Sequence, residues 1–278
     1  MRLTEEEGTL VFSTDDGRLA GRYGYDDPFK PSLHPLTTPG GLTVSAFMPH
    51  DHKHHRALMY ALRTPDINFW EERQTRPEEV VGCQAHQGFE NIVAQGEEVG
   101  FAQRLLWSAA DGSLPTFAER RSVCCRLAPG GGAFRWEWST QIEALRDTEL
   151  VMSQWSAPRS GGALVNYHGL GVRLPREFGG SMAKATVRLD DSPCEVAAAL
   201  GSLPRLIEYM AAVDGFWPVR HAGIRIGQTQ PNALFILKEP FAYLSLGPSG
   251  LAPRQMRRGE ALAENYHIEI FDGPTEPQ

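Results

Sequence analysis

The chain has 278 residues, with 27 Lys and Arg against 34 Asp and Glu for a formal net charge of −7, and 41% of it is hydrophobic. An acidic chain without a Lys/Arg cluster is not expected to bind nucleic acid, and no apolar run approaches the roughly eighteen residues of a membrane span. Gly and Pro supply 28 and 20 residues, so turns are expected in number and long helices are not.

In chain order, the opening MRLTEEEGTL lacks a basic stretch followed by an apolar one, so no secretory leader is expected. Turn signals follow at DDG (15–17), PGG (39–41), DGS (111–113), PGGG (129–132), GG (179–180) and GPSG (247–250). Between them the dominant signal is alternation. In AFRWEWSTQIEAL, Phe134, Trp136, Trp138 and Ile142 share one parity, and Arg135, Glu137, Ser139 and Gln141 the other. A half-buried antiparallel strand sorts residues in this way. HAGIRIGQ repeats it with Ala222, Ile224 and Ile226, and AENYHIEIF with Tyr266, Ile268 and Ile270. Residues 203–213 read as helix by composition or as a strand carrying Ile207 and Tyr209. The whole predicts an all-β fold: one large antiparallel β-sandwich over residues 1–272, few short helices, and a frayed tail over 273–278. Cys83, Cys124, Cys125 and Cys194 have no C-x-x-C spacing, which fits free thiols packed as small hydrophobes in a reducing cytoplasm.

Four of the nine histidines fall within residues 50–56, in PHDHKHHR. Read as a strand, the segment puts His50, His52, His54 and Arg56 on one face, and Asp51, Lys53 and His55 on the other. Two chemistries suit it. Neutral imidazoles at i and i+2 can ligate a transition metal, with His52 and His54 as ligands and His86 or His168 as a remote third. No cofactor is otherwise expected. Alternatively, imidazoles that titrate near neutral pH can take and give protons on a bound substrate, with the Arg56 fork holding an oxygen. A sugar pocket also needs stacking surface and polar groups. Trp70, Glu71 and Glu72 can supply these, with Trp70 and Glu72 the substrate-contacting candidates. His168 and Asn166, in NYHGLG, and His86, in GCQAHQG, are further candidates. No phosphate-binding loop, dinucleotide fingerprint or nucleophile elbow is present.

HPLTTPGG, PHDHKHHR and INFW together resemble a bacterial domain family of unknown function, DUF6807, also labelled PmoA-like or methane oxygenase PmoA. Its members carry P-L-x-T-P-x-G, then D-H-x-H-H-R-G-L-W, then D-F-W. Pro35, Leu36, Thr38, Pro39 and Gly41 match the first block. Asp51, His52, His54, His55 and Arg56 match the second, and Phe69 and Trp70 the third. The likeness continues through NYHGLGVRLP (166–175) and RRGEALAENYHIEIFDG (257–273). The chain departs from the pattern at Ala57 and Met59, which replace Gly and Trp, and at Asn68, which replaces Asp.

The resemblance implies a galactose-mutarotase-like sandwich and a role in bacterial carbohydrate catabolism. Methane oxidation is not expected, because that label belongs to a membrane enzyme with transmembrane helices. The expected function is proton-transfer chemistry on a sugar or oxidised sugar derivative: epimerisation, elimination or cleavage. His52, His54, His55, Arg56 and His168 are its catalytic candidates. Asp51, Trp70, Glu72, His86 and Asn166 are its substrate-binding candidates. A metal-dependent oxygenase or hydrolase and a non-catalytic carbohydrate-binding subunit are the rival readings.

Overall fold

The computed structural model describes residues 1–275; the end of the expected frayed tail, 276–278, lies outside the described residues. Strands dominate. The only helical pieces among the described residues are a short 3-10 turn, Arg176–Phe178, and a single α-turn, Val196–Ala199.

Two large sheets pack face to face. The first has eight strands in the order Arg2–Glu6, Thr9–Ser13, Leu19–Gly24, Ser32–Leu36, Leu58–Ala61, Gly169–Arg173, Tyr243–Gly247 and Ala233–Leu237. The second has ten, in the order Ser192–Pro193, Ala185–Leu189, Leu206–Val213, Arg220–Gln228, Ala261–Asp272, Ala133–Ala144, Phe117–Leu127, Glu98–Ala109, Val80–Val93 and Ile67–Asn68. The pairings are antiparallel except where Ile67–Asn68 runs parallel to Val80–Val81. The all-β sandwich expected from the alternation is therefore present.

The second sheet is where alternation reads most clearly. Phe134, Trp136, Trp138 and Ile142 are buried, as are Tyr266, Ile268 and Ile270. Their register is paired, with Trp136 opposite Ile268 and Trp138 opposite Tyr266. Residues 206–213 are strand, with Ile207 and Tyr209 inward, which settles the alternatives left open by composition. The four cysteines are free thiols. Cys125 is buried and Cys124, its neighbour on the same strand, is half-buried. Gly273 donates its amide to the His221 carbonyl, and the Pro274 carbonyl accepts from His221 Nδ1, so the chain stays attached just beyond residue 272.

Between the sheets the packing is aromatic. Phe12 meets Trp136 edge-on at 4.8 Å between ring centroids, and Tyr60 meets Trp107 at 6.3 Å. Buried polar groups are paired across the same gap. Tyr23 donates to Gln103 at 2.6 Å, and Tyr60 donates to Glu264 at 2.6 Å. Unpaired, each of these groups would cost roughly 1–3 kcal/mol.

The first sheet does something different in its central strands. Leu58, Tyr60, Leu170, Val172, Leu244 and Leu246 face the inter-sheet core. Met59, Ala61, Phe235 and Tyr243 face the opposite way and are equally buried, in a second cluster with Trp70, Val165 and Tyr167. These strands are buried on both faces, which accounts for their near-continuous apolar sequences LMYA, GLGVR and ALFIL. Gly171 is required by this layer. A Cβ there would come within 1.9 Å of Tyr243 Oη and 3.1 Å of Trp70.

Gly171→Ala is expected to destabilise by roughly 1–3 kcal/mol through overpacking, seen as a Tm drop of several degrees. Gly24→Ala, in a strand with open space around its Cα, should leave Tm within a degree or two. Equal melting of the two variants would contradict this packing.

Candidate functional site

A cavity of about 300 Å³ opens on the outer face of the eight-stranded sheet. Its floor and far wall are apolar, from Phe235, Leu237, Phe241 and Tyr243, and its rim carries Trp155 and Arg73. The polar wall consists of His52, His54, His55, Glu71 and Tyr167.

The histidine segment is not a strand. His52 donates its amide to the Pro49 carbonyl and His55 to that of His52, so residues 49–55 form two successive tight turns. Alternating parity therefore fails here. His52, His54 and His55 converge, with ring centroids 5.7 Å apart for 52–54, 4.8 Å for 52–55 and 4.6 Å for 54–55. His55, expected on the opposite face, stacks on Tyr243 at 5.0 Å.

Arg56 leaves the site. Its Nε and Nη2 make a two-pronged pair with Glu72 at 2.9 and 2.8 Å, and Nη1 donates to Asp27 at 2.9 Å. Buried Lys30 pairs with Glu72 at 2.9 Å and donates to the Trp70 carbonyl at 2.6 Å. Neither Arg56 nor Glu72 lines the cavity. Both belong to an ion clip beneath the turns, and the clip holds Glu72 in the left-handed region at φ 57°.

That turn makes adjacent carboxylates diverge: Glu72 goes into the clip and Glu71 to the cavity. Asn68 Oδ1 accepts the amides of Trp70 and Glu71 at 3.0 Å each and fixes the turn, while its Nδ2 donates to Glu79 at 3.2 Å. An Asp here would face Glu79 with a second carboxylate. Glu71 Oε1 accepts from Tyr167 Oη at 2.9 Å, and Tyr167 Oη accepts from Ser153 Oγ at 2.9 Å. Glu71 Oε2 is buried without a hydrogen-bond partner among the described residues.

Arg173 is the positioning residue that the sequence reading passed over. Its guanidinium lies 3.9 Å above the Phe241 ring, donates to Asp51 at 2.8 Å and donates to His55 Nδ1 at 3.1 Å. A guanidinium has no acceptor, so neutral His55 carries its proton on Nε2. Asp51 thus anchors the turns, with its carboxylate 3.6 Å from His52 Nδ1, and is not part of the cavity wall.

The remaining candidates lie elsewhere. Trp70 is fully buried in the layer beneath the cavity. His168 lies beside that layer, 5.2 Å from the Trp70 ring, with both ring nitrogens buried and without a hydrogen bond among the described residues. Asn166 ties loops together, accepting from the Ser153 amide at 3.0 Å and donating to Ser249 at 3.1 Å. His86 is on the ten-stranded sheet, bonded to Gln103 and packed against Tyr25 and Phe89. Neither His86 nor His168 lines the cavity with His52 and His54. Among the described residues no group of three or more His, Cys, Asp or Glu has a metal-holding arrangement.

Burial lowers the basicity of the wall imidazoles. For His54 it acts with the positive charges of Lys30, Arg73 and Arg173 and brings the pKa down to about 3. His55 is lowered well below the usual value by burial and by the neighbouring histidines. His52 is lowered by burial, with Asp51 opposing. His168 is lowered to about 3 by burial, with Arg63 adding to it. All four are neutral at physiological pH, able to accept a hydrogen bond or a proton.

The fold and site define a two-sheet β protein with an aromatic, histidine-walled cavity outside the sandwich core. The matching family profile spans residues 11–278 and is described as a family of unknown function, DUF6807; the chain belongs to that family. That description names no activity, so the methane-oxygenase label rests on the sequence resemblance alone. Two solved structures are similar across almost the whole chain. One is a galactose mutarotase related enzyme from Lactobacillus acidophilus, at 8% identity, TM-score 0.40, covering 99% of this chain and 98% of the other. The second is the Slr1438 protein of Synechocystis, at 10% identity, TM-score 0.40, covering 98% and 97%. No curated protein matches. No helix among the described residues is long and apolar enough to cross a membrane.

Ala57 ends the histidine turns at φ 58°, a left-handed conformation that suits the Gly of the family pattern. Ala57→Gly is expected to stabilise the fold or leave it unchanged, by up to about 1 kcal/mol in denaturant unfolding; a clear loss would contradict the strained turn. The imidazoles give a pH dependence of definite sign. Folded, they stay neutral down to a pKa near 3 for His54 and His168; unfolded, they take up protons near 6.5. The unfolded state then binds more protons, so stability is intact above about pH 7 and falls as the pH drops through 6.5 toward 3. Tm should decline between pH 7 and pH 4.5, and His168→Phe should flatten that slope. An unchanged slope would place the pH sensitivity in other groups.

Proposed function

We propose that the cavity binds a small polyhydroxylated molecule, a sugar or sugar derivative, and moves a proton on it. The observation that carries this reading is the convergence of three neutral imidazoles and a half-satisfied carboxylate on one small aromatic-walled cavity. Its size suits a single sugar ring. Phe241, Tyr243 and Trp155 offer apolar ring faces for the C–H side of such a ring. Neutral imidazoles and Glu71 Oε2 accept hydrogen bonds from its hydroxyls.

In this reading His54, edge-on against His55, takes the proton once a bound substrate has raised its basicity from the low value of the empty cavity, and His52, half-exposed at the mouth, exchanges it with solvent. Tyr167 and Ser153 hold Glu71 in place. Arg173 holds the His55 tautomer that presents Nε2–H as a donor. Epimerisation, elimination and glycosidic cleavage all contain such a proton transfer.

A second reading, a metal-dependent oxygenase or hydrolase, rests on the His52 and His54 pair, whose imidazoles are in the neutral form that ligation requires. Elemental analysis of untagged protein separates the two: a stoichiometric transition metal favours the second. A carbohydrate-binding subunit predicts saturable sugar binding without turnover.

The test is a panel of aldoses, sugar acids and glycosides incubated with the protein in D2O. NMR then follows deuterium uptake at carbon, anomeric interconversion and bond cleavage. One of these should appear in wild type and fall at least about a hundredfold in His54→Ala, with the Tm at pH 7.5 little changed. Full activity in a folded His54→Ala protein would remove His54 from the mechanism.

A further inference from the structure

Arg56 and Lys30 are matched by Glu72 and Asp27, Arg173 by Asp51, and buried Arg63 by Glu79 and, at 3.7 Å, by Glu71 Oε1. Arg73 and the second oxygen of Glu71 are left over. Arg73, exposed at the rim, makes no ion pair among the described residues. Glu71 is 3% exposed, with one oxygen held by Tyr167 and the other, Oε2, unpartnered. A buried carboxylate oxygen without a donor carries a desolvation cost, which a ligand donor that reached it would relieve. The wall imidazoles, neutral and short of protons, do not supply a charged one.

Two ligand classes can donate to Glu71 Oε2: an ammonium or a hydroxyl. Lys30 and Arg173 are each paired with a carboxylate, so the unpaired charge at the mouth among the described residues is the Arg73 guanidinium. An ammonium would enter past that cation, whereas an anionic group is drawn to it.

We infer that the ligand of this cavity is a hydroxy acid of the sugar-acid class, its carboxylate paired with Arg73 at the rim and a hydroxyl donating to Glu71 Oε2 inside. This rests on the polyhydroxylated-ligand reading and narrows it to one chemical class. An anion bound to Arg73 would also offset that guanidinium's effect on His54 and raise its basicity, tying occupancy to proton-accepting power.

Calorimetric titration of the whole protein with D-glucuronate, D-glucuronamide, D-glucose and D-glucosamine tests it. Glucuronate should bind at least about tenfold more tightly than the amide or glucose, the worth of one charge-assisted contact. Arg73→Gln should erase that preference and Arg73→Lys keep part of it. Arg73 is exposed, so these variants do not threaten the fold. Glu71→Gln should weaken the acid, amide and aldose alike. Equal affinity of acid and neutral sugars, tighter binding of glucosamine, or an unchanged preference in Arg73→Gln would overturn the inference while leaving the sugar-site reading standing. Absence of binding by all four would overturn both.

Discussion

The central strands of the eight-stranded sheet are buried on both faces, and the rest of the site follows from that constraint. One face meets the ten-stranded sheet through Tyr60, Leu170 and Leu246. The other, carrying Met59, Phe235 and Tyr243, is closed by connecting segments and by a short two-stranded ribbon, Ala157–Pro158 with Leu164–Val165. Such segments bring backbone polar groups into an apolar layer, where each must find a partner. Lys30 answers part of that need by donating to the Trp70 carbonyl, and Asn68 answers another by accepting two amides. The cavity is the space that these cross-braced connections leave above Tyr243.

The ion clip is better understood as a specifier of loop geometry than as a source of stability. Burying Lys30, Arg56, Glu72 and Asp27 has a desolvation cost that their attraction roughly offsets. What the arrangement does forbid is a different turn at residues 71–73. Moving Glu72 out of its left-handed conformation would strand buried Lys30 and leave Arg56 with Asp27 alone, a penalty on the order of 3–5 kcal/mol. That asymmetry sends Glu71 to the cavity and Arg73 to its rim. It also accounts for a feature that stability alone does not: the chain matches every other buried cation near the site with a carboxylate, yet leaves one oxygen of Glu71 unmatched.

Legibility in the sequence followed the range of the interactions. Strands such as 133–144 were readable because alternation is local and each has one face on a thick core, so Trp136 and Trp138 declare their side directly. The histidine block was found by its density and its resemblance to a family pattern, but its geometry was not. Parity requires extended backbone, and two i to i+3 turns replaced it, bringing His55 into the wall. Arg56 was misassigned because its partners, Glu72 and Asp27, are 16 and 29 positions away. His86 in GCQAHQG and His168 in NYHGLG are candidates by local pattern, which carries no distance to the cluster, and the fold puts one on the other sheet and one beside Trp70. Phe235, Phe241 and Tyr243 gave no signal, since a cavity floor and a strand buried on both faces have the same apolar sequence. Arg173 was visible only as a letter in NYHGLGVRLP.

The second block of the family pattern can now be read as a set of physical jobs. Asp51 takes the guanidinium of Arg173, which in turn fixes the tautomer of His55. His52, His54 and His55 form the wall, and Arg56 reaches backward into the clip that sets the carboxylate of Glu71. The residue after Arg56 must turn left-handed, which explains a glycine there and makes Ala57 the strained substitute. The residue two further on, Met59, fills the layer under the cavity where the pattern has tryptophan, so this departure alters the floor and leaves the polar wall intact. A change in this layer alters the shape of the cavity above it, while the imidazoles and Glu71 stay in place. The departures at Ala57 and Met59 therefore bear on turn strain and cavity shape, and the one at Asn68 on the turn that places Glu71.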